Sequence, residues 1–287
     1  MNKKLLLISV NWNKELCVKM EKMKTIKTVV CDIDGTLLEK GEMLPSKVVT
    51  RIKLLKEYKI DFVFASGRLP SRIHPLVVQL QQEDMFVVAC NGALVYQGDT
   101  IIFEHVFPVK LLESLVRLAD SFDMTVLYSL GGVEYCHRET AASKRKRRER
   151  GDYFAIQPLD FATMQLIKVN ILTENALYLL DEELQKLEGL VNITRYGNQG
   201  VEIVHKDVSK KTGIDHYCRL KKREFSTIMA IGDNENDIAL FKASGIAVAV
   251  ANASSDAKRS AQIVTSLSSA DGVGEILAQL LDTQERK

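Results

Sequence analysis

No stretch of about 18 consecutive apolar residues occurs in this sequence, so nothing in it is long enough to cross a bilayer as a helix. The N-terminus begins as a signal peptide would, with Lys3 and Lys4 ahead of Leu5-Leu6-Leu7-Ile8. The apolar run then stops at Val10, before Asn11, Trp12, Asn13 and Lys14, and no small-residue cleavage site follows. Residues 1–24 are therefore expected to form a basic, loosely attached extension, with Met20 or Met23 as an alternative start. Cysteine is scarce and unpaired in pattern: Cys17, Cys31, Cys90, Cys136 and Cys218 are odd in number, widely scattered and contain no C-x-x-C. That spacing argues against a disulfide framework and against a zinc site, and for free thiols in a reducing cytoplasm. Net charge is almost absent: 39 basic and 37 acidic residues leave +2, which excludes the strongly basic balance of a dedicated nucleic-acid-binding domain. There is no internal repeat and no long low-complexity segment.

What is present is an ordinary globular composition, 46% apolar and 26% charged. The 287 residues suffice for a core without a disulfide or structural metal, and suggest two domains. Short continuous apolar runs mark strands buried on both faces: Thr28–Cys31, Ile60–Ala65, Phe86–Cys90, Thr227–Ile231 and Ile246–Val250. Helical spacing occupies residues 45–58, 235–244 and 273–281 between or after them. This alternation predicts an α/β, doubly wound, Rossmann-like parallel sheet, whose ligands bind at the carboxyl ends of the strands. Residues 107–200 have a looser texture: helix 109–122, strand 125–129, a charged stretch, strand 167–172, helix 176–187 and strand 191–196. They are expected to form an inserted α+β domain, with residues 25–106 and 201–287 making one core around it.

The polar turns after the strands carry the chemistry. Asp32-Ile33-Asp34-Gly35-Thr36 follows the first strand. A carboxylate there can act as a nucleophile, and a second one two residues on as general acid and base. The D-x-D-G pattern of Asp32–Gly35 also suits a plain turn. Gly232-Asp233-Asn234-Glu235-Asn236-Asp237 follows another strand and offers hard oxygen donors suited to Mg²⁺, or else acids favouring a helix N-terminus. Neither segment is an EF-hand loop. Counted from Asp32, positions six and twelve are Leu37 and Met43; from Asp233 they are Ile238 and Ser244, where glycine and glutamate are required. Ser66, before Gly67 and Arg68, can bind a phosphate oxygen or cap a helix. Lys210, in Val208-Ser209-Lys210-Lys211-Thr212, can supply a point charge to the same group or simply face solvent.

Taken in order, Asp32–Thr36, Ser66-Gly67-Arg68, Lys210 and Gly232–Asp237 resemble the four motifs of the haloacid dehalogenase superfamily. Asn91-Gly92-Ala93-Leu94, Val208-Ser209-Lys210, Ala251-Asn252-Ala253 and Asp271-Gly272-Val273 bring the resemblance closer to its Cof-like phosphatase branch. Lys211 and Ala251 depart from that branch, which usually has glycine at both places. The resemblance covers roughly residues 26–281 and makes the insert a cap domain. It implies a Mg²⁺-dependent phosphatase acting on a small phosphorylated metabolite through an aspartyl-phosphate. Asp32 would be nucleophile and metal ligand, and Asp34 the acid/base, binding the metal through its backbone carbonyl. Asp233 would be the third protein ligand, with Asp237 at or just behind the metal. Ser66, Gly67, Lys210 and Asn236 would hold the phosphoryl oxygens, with Arg68, Asn91 and Gly92 on the substrate side. A phosphotransferase or phosphomutase of the same superfamily shares this chemistry.

Residues 144–150, Lys-Arg-Lys-Arg-Arg-Glu-Arg, are the one concentrated charge. They could serve nucleic acid or the distal end of an anionic substrate. Acidic residues outnumber basic ones by one over 107–200, and no aromatic interleaves the run, so a solvated face is expected and nucleic acid is not the expected partner.

Overall fold

The computed structural model describes residues 21–39, 43–150 and 154–286. Most of the expected N-terminal extension, including Met20, lies outside these residues. Met23 does not: it is buried, its carbonyl accepts Gln284 Nε2 at 2.8 Å, and its sulfur meets Thr283 Oγ1 at 3.9 Å. The chain is therefore tied down from residue 23 rather than loose up to residue 24. Contacts divide the protein into two compact units, one of residues 1–66, 75–87 and 214–287, the other of residues 67–74 and 88–213.

In the first unit, five parallel strands lie in the order Ile263–Val264, Ile246–Ala249, Ile228–Gly232, Thr28–Cys31 and Asp61–Ala65. Every residue of Thr28–Cys31, Ile228–Gly232 and Ile246–Ala249 is buried, which is why these strands read as unbroken apolar runs. At their amino ends a polar group is enclosed and satisfied. Tyr217 donates to Asp61 at 2.8 Å and lies 2.9 Å from Thr28 Oγ1, while Arg223 closes on Asp61 at 3.0 Å. Helix Ser46–Leu55, followed by a 3₁₀ turn at Lys56–Tyr58, packs on the C-terminal helix Ser269–Glu285. That last helix is longer than the 273–281 expected, because its first residues, Ser269–Gly272, and its last, Asp282–Glu285, carry little apolar signal.

The second unit centres on a six-stranded sheet in the order Val191–Arg195, Gly200–His205, Lys168–Leu172, Thr125–Leu130, Val133–Cys136 and Ala155–Ile156. All neighbours are antiparallel except the last pair. One face supplies Val126, Tyr128, Val169, Ile171, Val201 and Ile203 to a core shared with helices Glu113–Ser121 and Asp181–Lys186. The other face carries Ser129, Lys168, Asn170 and Glu202, paired across the strands by register. Each of the two expected helices opens with a 3₁₀ turn, Val109–Leu112 and Leu177–Leu180. Strand Gly200–His205 and the hairpin Leu94–Gln97/Thr100–Glu104, turning at Gly98 (φ +56°), were not apparent as apolar runs. The first alternates buried charge with aliphatic residues, and the second is largely exposed.

The basic run is helical, in Ala141–Arg150, and Thr140 and Ser143 cap it reciprocally at 2.8 and 3.1 Å. Its cations meet acids: Lys144 and Arg147 reach Glu139 at 3.2 and 3.7 Å, and Arg145 pairs with Glu174. Arg147 also lies over the Phe154 ring at 5.0 Å. Lys144 and Arg145 are exposed on this helix, and Arg147 is half-buried. Among the described residues no helix is long and apolar enough to cross a membrane.

Candidate active site

Three adjacent parallel strands of the first unit end at Gly232, Cys31 and Ala65, so Asp233, Asp32 and Ser66 emerge at one edge. The Asp32 N–H still bonds the Ile231 carbonyl at 2.9 Å, which fixes where the side chain leaves the sheet. Carboxylate oxygens of Asp32, Asp233 and Asp237 all lie within 4.8 Å of one another, and Asp32 and Asp237 are buried. Three carboxylates this close could together hold a metal ion. An all-carboxylate donor set fits a hard ion of the Mg²⁺ kind rather than a soft one.

The chain around the trio is built to hold it. Asp237 Oδ2 accepts the N–H groups of Asp233 and Asn234 at 3.0 and 3.2 Å, and Asn234 Oδ1 accepts Glu235 N–H, a capping box at the 3₁₀ turn Glu235–Asp237. This turn is why the helix expected over 235–244 begins only at Ile238. Thr36 Oγ1 donates to Asp233 at 2.7 Å and lies 3.4 Å from Asp32 Oδ2, linking the two motifs through one hydroxyl. Gly35 has φ +84°, and a Cβ there would stand 2.3 Å from Asp233 Oδ2, so only glycine lets the two loops approach. The Gly35 carbonyl is gripped from behind by Asn252 Nδ2 at 2.8 Å and Ser269 Oγ at 3.2 Å, while Asn252 Oδ1 accepts Ser269 N–H. Asp34 is exposed and Asn236 likewise, and Ser66 is fully buried.

Gly67, Arg68, Asn91, Gly92 and Lys210 belong to the second unit, where they also converge. Cys90 N–H bonds the Arg68 carbonyl at 3.0 Å, and a Cβ on Gly67 would touch Asn91 Nδ2 at 3.1 Å. Gly92 (φ +108°) passes so close to Ser209 that a Cβ would stand 2.0 Å from its carbonyl oxygen. Lys210 opens helix Lys210–Lys221, fully buried, behind a Ser209–Thr212 capping pair at 2.9 and 3.2 Å.

Two residues here gave no sign in the sequence. Lys168 Nζ donates to the Gly67 carbonyl at 2.8 Å and pairs with Glu202 at 2.5 Å, both side chains being almost wholly buried. Glu202 in turn accepts Asn91 Nδ2 and, at 2.8 Å, the Tyr196 hydroxyl. Burial disfavours the Lys168 ammonium, but Glu202, aided by Cys90 and Glu134, holds the lysine pKa above its ordinary value. Burial pushes the neighbouring Cys90 thiol up to about 12, so it is no nucleophile. A lysine and a glutamate inside two strands 34 positions apart have no local motif; only their breaking of an aliphatic alternation could have flagged them.

Residues 29–277 match the family model of haloacid dehalogenase-like hydrolases. The chain belongs to that family. A Mycoplasma pneumoniae relative is 28% identical over 84% of this chain and 92% of its own. The phosphoglycolate phosphatase of Methanosarcina acetivorans is 27% identical over 88% and 95%. Among solved structures, a Thermotoga maritima protein has a TM-score of 0.77 at 25% identity, covering 88% of this chain and 97% of that one. This hydrolase thus shares its α/β architecture, and not only its motifs, with the family.

Proposed function

We propose that this protein is a Mg²⁺-dependent phosphatase of small phosphorylated metabolites, a sugar phosphate or nucleotide-like ester. The observation that carries this reading is the trio Asp32, Asp233 and Asp237 at the sheet edge, with Asp32 and Asp237 buried, Asp233 half-buried, and Asp34 two residues beyond Asp32. The relative named as a phosphoglycolate phosphatase supports the same chemical class. Residues 107–200 would form the cap that selects the substrate, and the free, buried cysteines among the described residues suit a cytoplasmic protein.

In this mechanism an Asp32 oxygen attacks phosphorus and the bond to the substrate oxygen breaks. Asp34 gives that oxygen its proton, and the alcohol leaves. The aspartyl-phosphate then reacts with water: Asp34 takes the water proton, the phosphorus–Asp32 bond breaks, and inorganic phosphate departs. Asp32, the Asp34 carbonyl and Asp233 would hold Mg²⁺, with Asp237 fixing the Asp233 loop. When bound, the ion would neutralise charge gathering on the phosphoryl oxygens. Ser66, Gly67, Lys210 and Asn236 would orient those oxygens, and Arg68, Asn91 and Gly92 would line the substrate side. Thr36 keeps Asp233 turned toward Asp32.

The test is phosphate release from a panel of sugar phosphates, nucleotides, flavin mononucleotide and pyridoxal phosphate, with Mg²⁺ or with chelator. Release that depends on Mg²⁺ and vanishes in Asp32→Asn is expected. Release equal in wild type and Asp32→Asn would end the proposal.

A further inference from the structure

We propose that His105, His205 and Asp207 form a second metal site in this protein, one for Zn²⁺ or a similar transition ion. Each residue offers one ligand atom, and the three atoms lie within 4.8 Å of one another. They come from segments a hundred residues apart in sequence. His105 follows strand Thr100–Glu104 and its N–H is held by the Ala93 carbonyl at 2.7 Å, while His205 closes strand Gly200–His205. The imidazoles stack with centroids 3.9 Å apart and 26° between planes, and Phe103 packs edge-on against His105 at 5.8 Å. Stacked in this way the rings aim their nitrogen lone pairs nearly parallel, so each must turn to meet one ion; Asp207 sits two residues beyond His205, its carboxylate 3.8 Å from His205 Nδ1.

The donor chemistry separates this site from the acidic trio. Two imidazoles and one carboxylate, with a water in the fourth place, form a tetrahedral set suited to Zn²⁺; Mg²⁺ favours oxygen. Metal–ligand bonds of about 2.0–2.2 Å require ligand atoms roughly 3.3 Å apart, somewhat closer than here. Asp207 is exposed and both histidines are partly so, which leaves their side chains room to turn. The Asp207 N–H donates to His205 Nδ1 at 3.2 Å, a bond that this nitrogen would exchange for the ion. A bound ion would tie the segment leading into residues 107–200 to the segment leading out of them. The alternative is a stacked histidine pair with an acidic neighbour and no ligand.

Zn²⁺ is titrated into the full chain in competition with a chromogenic chelator, in excess Mg²⁺ to occupy the acidic trio. The wild type is expected to take one more equivalent of Zn²⁺ than His105→Ala/His205→Ala. His205→Gln and Asp207→Asn, each preserving size, are expected to weaken that equivalent by more than about tenfold. If the double variant fails to fold, these two single variants decide. Equal stoichiometry and affinity in the wild type and the folded variants overturn the proposal, whatever the phosphatase assay shows.

Discussion

The two sheets of this protein place polar chemistry in opposite ways. In the parallel sheet of the first unit the strands are apolar beyond the Thr28 and Asp61 that open two of them, and the groups of the candidate site begin only where each strand stops, as at Cys31-Asp32, Ala65-Ser66 and Gly232-Asp233. In the antiparallel sheet of the second unit the polar groups lie inside the strands, alternating with aliphatic ones, and meet partners across the ladder. Lys168 and Glu202 are the clearest pair. A sheet covered on both faces can display side chains only at its ends, whereas one with a single apolar face offers the whole other face. The first arrangement makes short motifs; the second makes distributed ones.

The largest effect that would break this contrast is at the strand end. Asp32→Asn is expected to lower phosphate release by about 10⁴-fold with the fold unchanged by circular dichroism. Activity near wild type would mean that the acidic edge is not where the chemistry occurs. Next comes the buried pair. Glu202→Ala leaves the Lys168 ammonium buried and uncompensated, so urea unfolding should show a loss of about 3–5 kcal/mol. Lys168→Met with Glu202→Leu should recover most of that stability yet leave the Gly67 carbonyl without its donor. Catalytic activity restored together with stability would make the pair purely structural.

Gly35→Ala is expected to cost about a hundredfold in activity, because the added methyl displaces the Asp233 carboxylate. Gly189→Ala, also at positive φ but in open space, should cost only about 1 kcal/mol of stability and no activity. Equal losses at the two glycines would remove the argument for close approach. The smallest effect belongs to the basic helix. Arg145→Ala breaks an exposed pair with Glu174 and should shift unfolding by less than about 0.5 kcal/mol.

The same contrast explains what could be read from the sequence. The five apolar runs became strands within a residue or two of the expected bounds, and Asp32, Ser66 and Asp233 were recognisable because each directly follows one. Gly200–His205 escaped because Glu202 interrupts its pattern, and the hairpin at residues 94–104 because its outer strand is exposed. Thr36 and Asn252 stood in recognisable motifs, but their bonds to Asp233 and Gly35 join loops about two hundred positions apart. His105 and His205 carried no signal at all.

By itself the sequence determined the parallel core, the order of the motifs and the identity of the groups at the strand ends. Local burial and turn chemistry suffice for these, since each depends on a few neighbouring residues. Only the tertiary structure decided which side chains meet. Strand register put Lys168 diagonally across from Glu202, the positive φ at Gly35 let Asp233 close on Thr36, and the return of the chain at residue 205 stacked two imidazoles. Such contacts are set by how strands align and how closely backbones pass, which no run of neighbouring residues encodes.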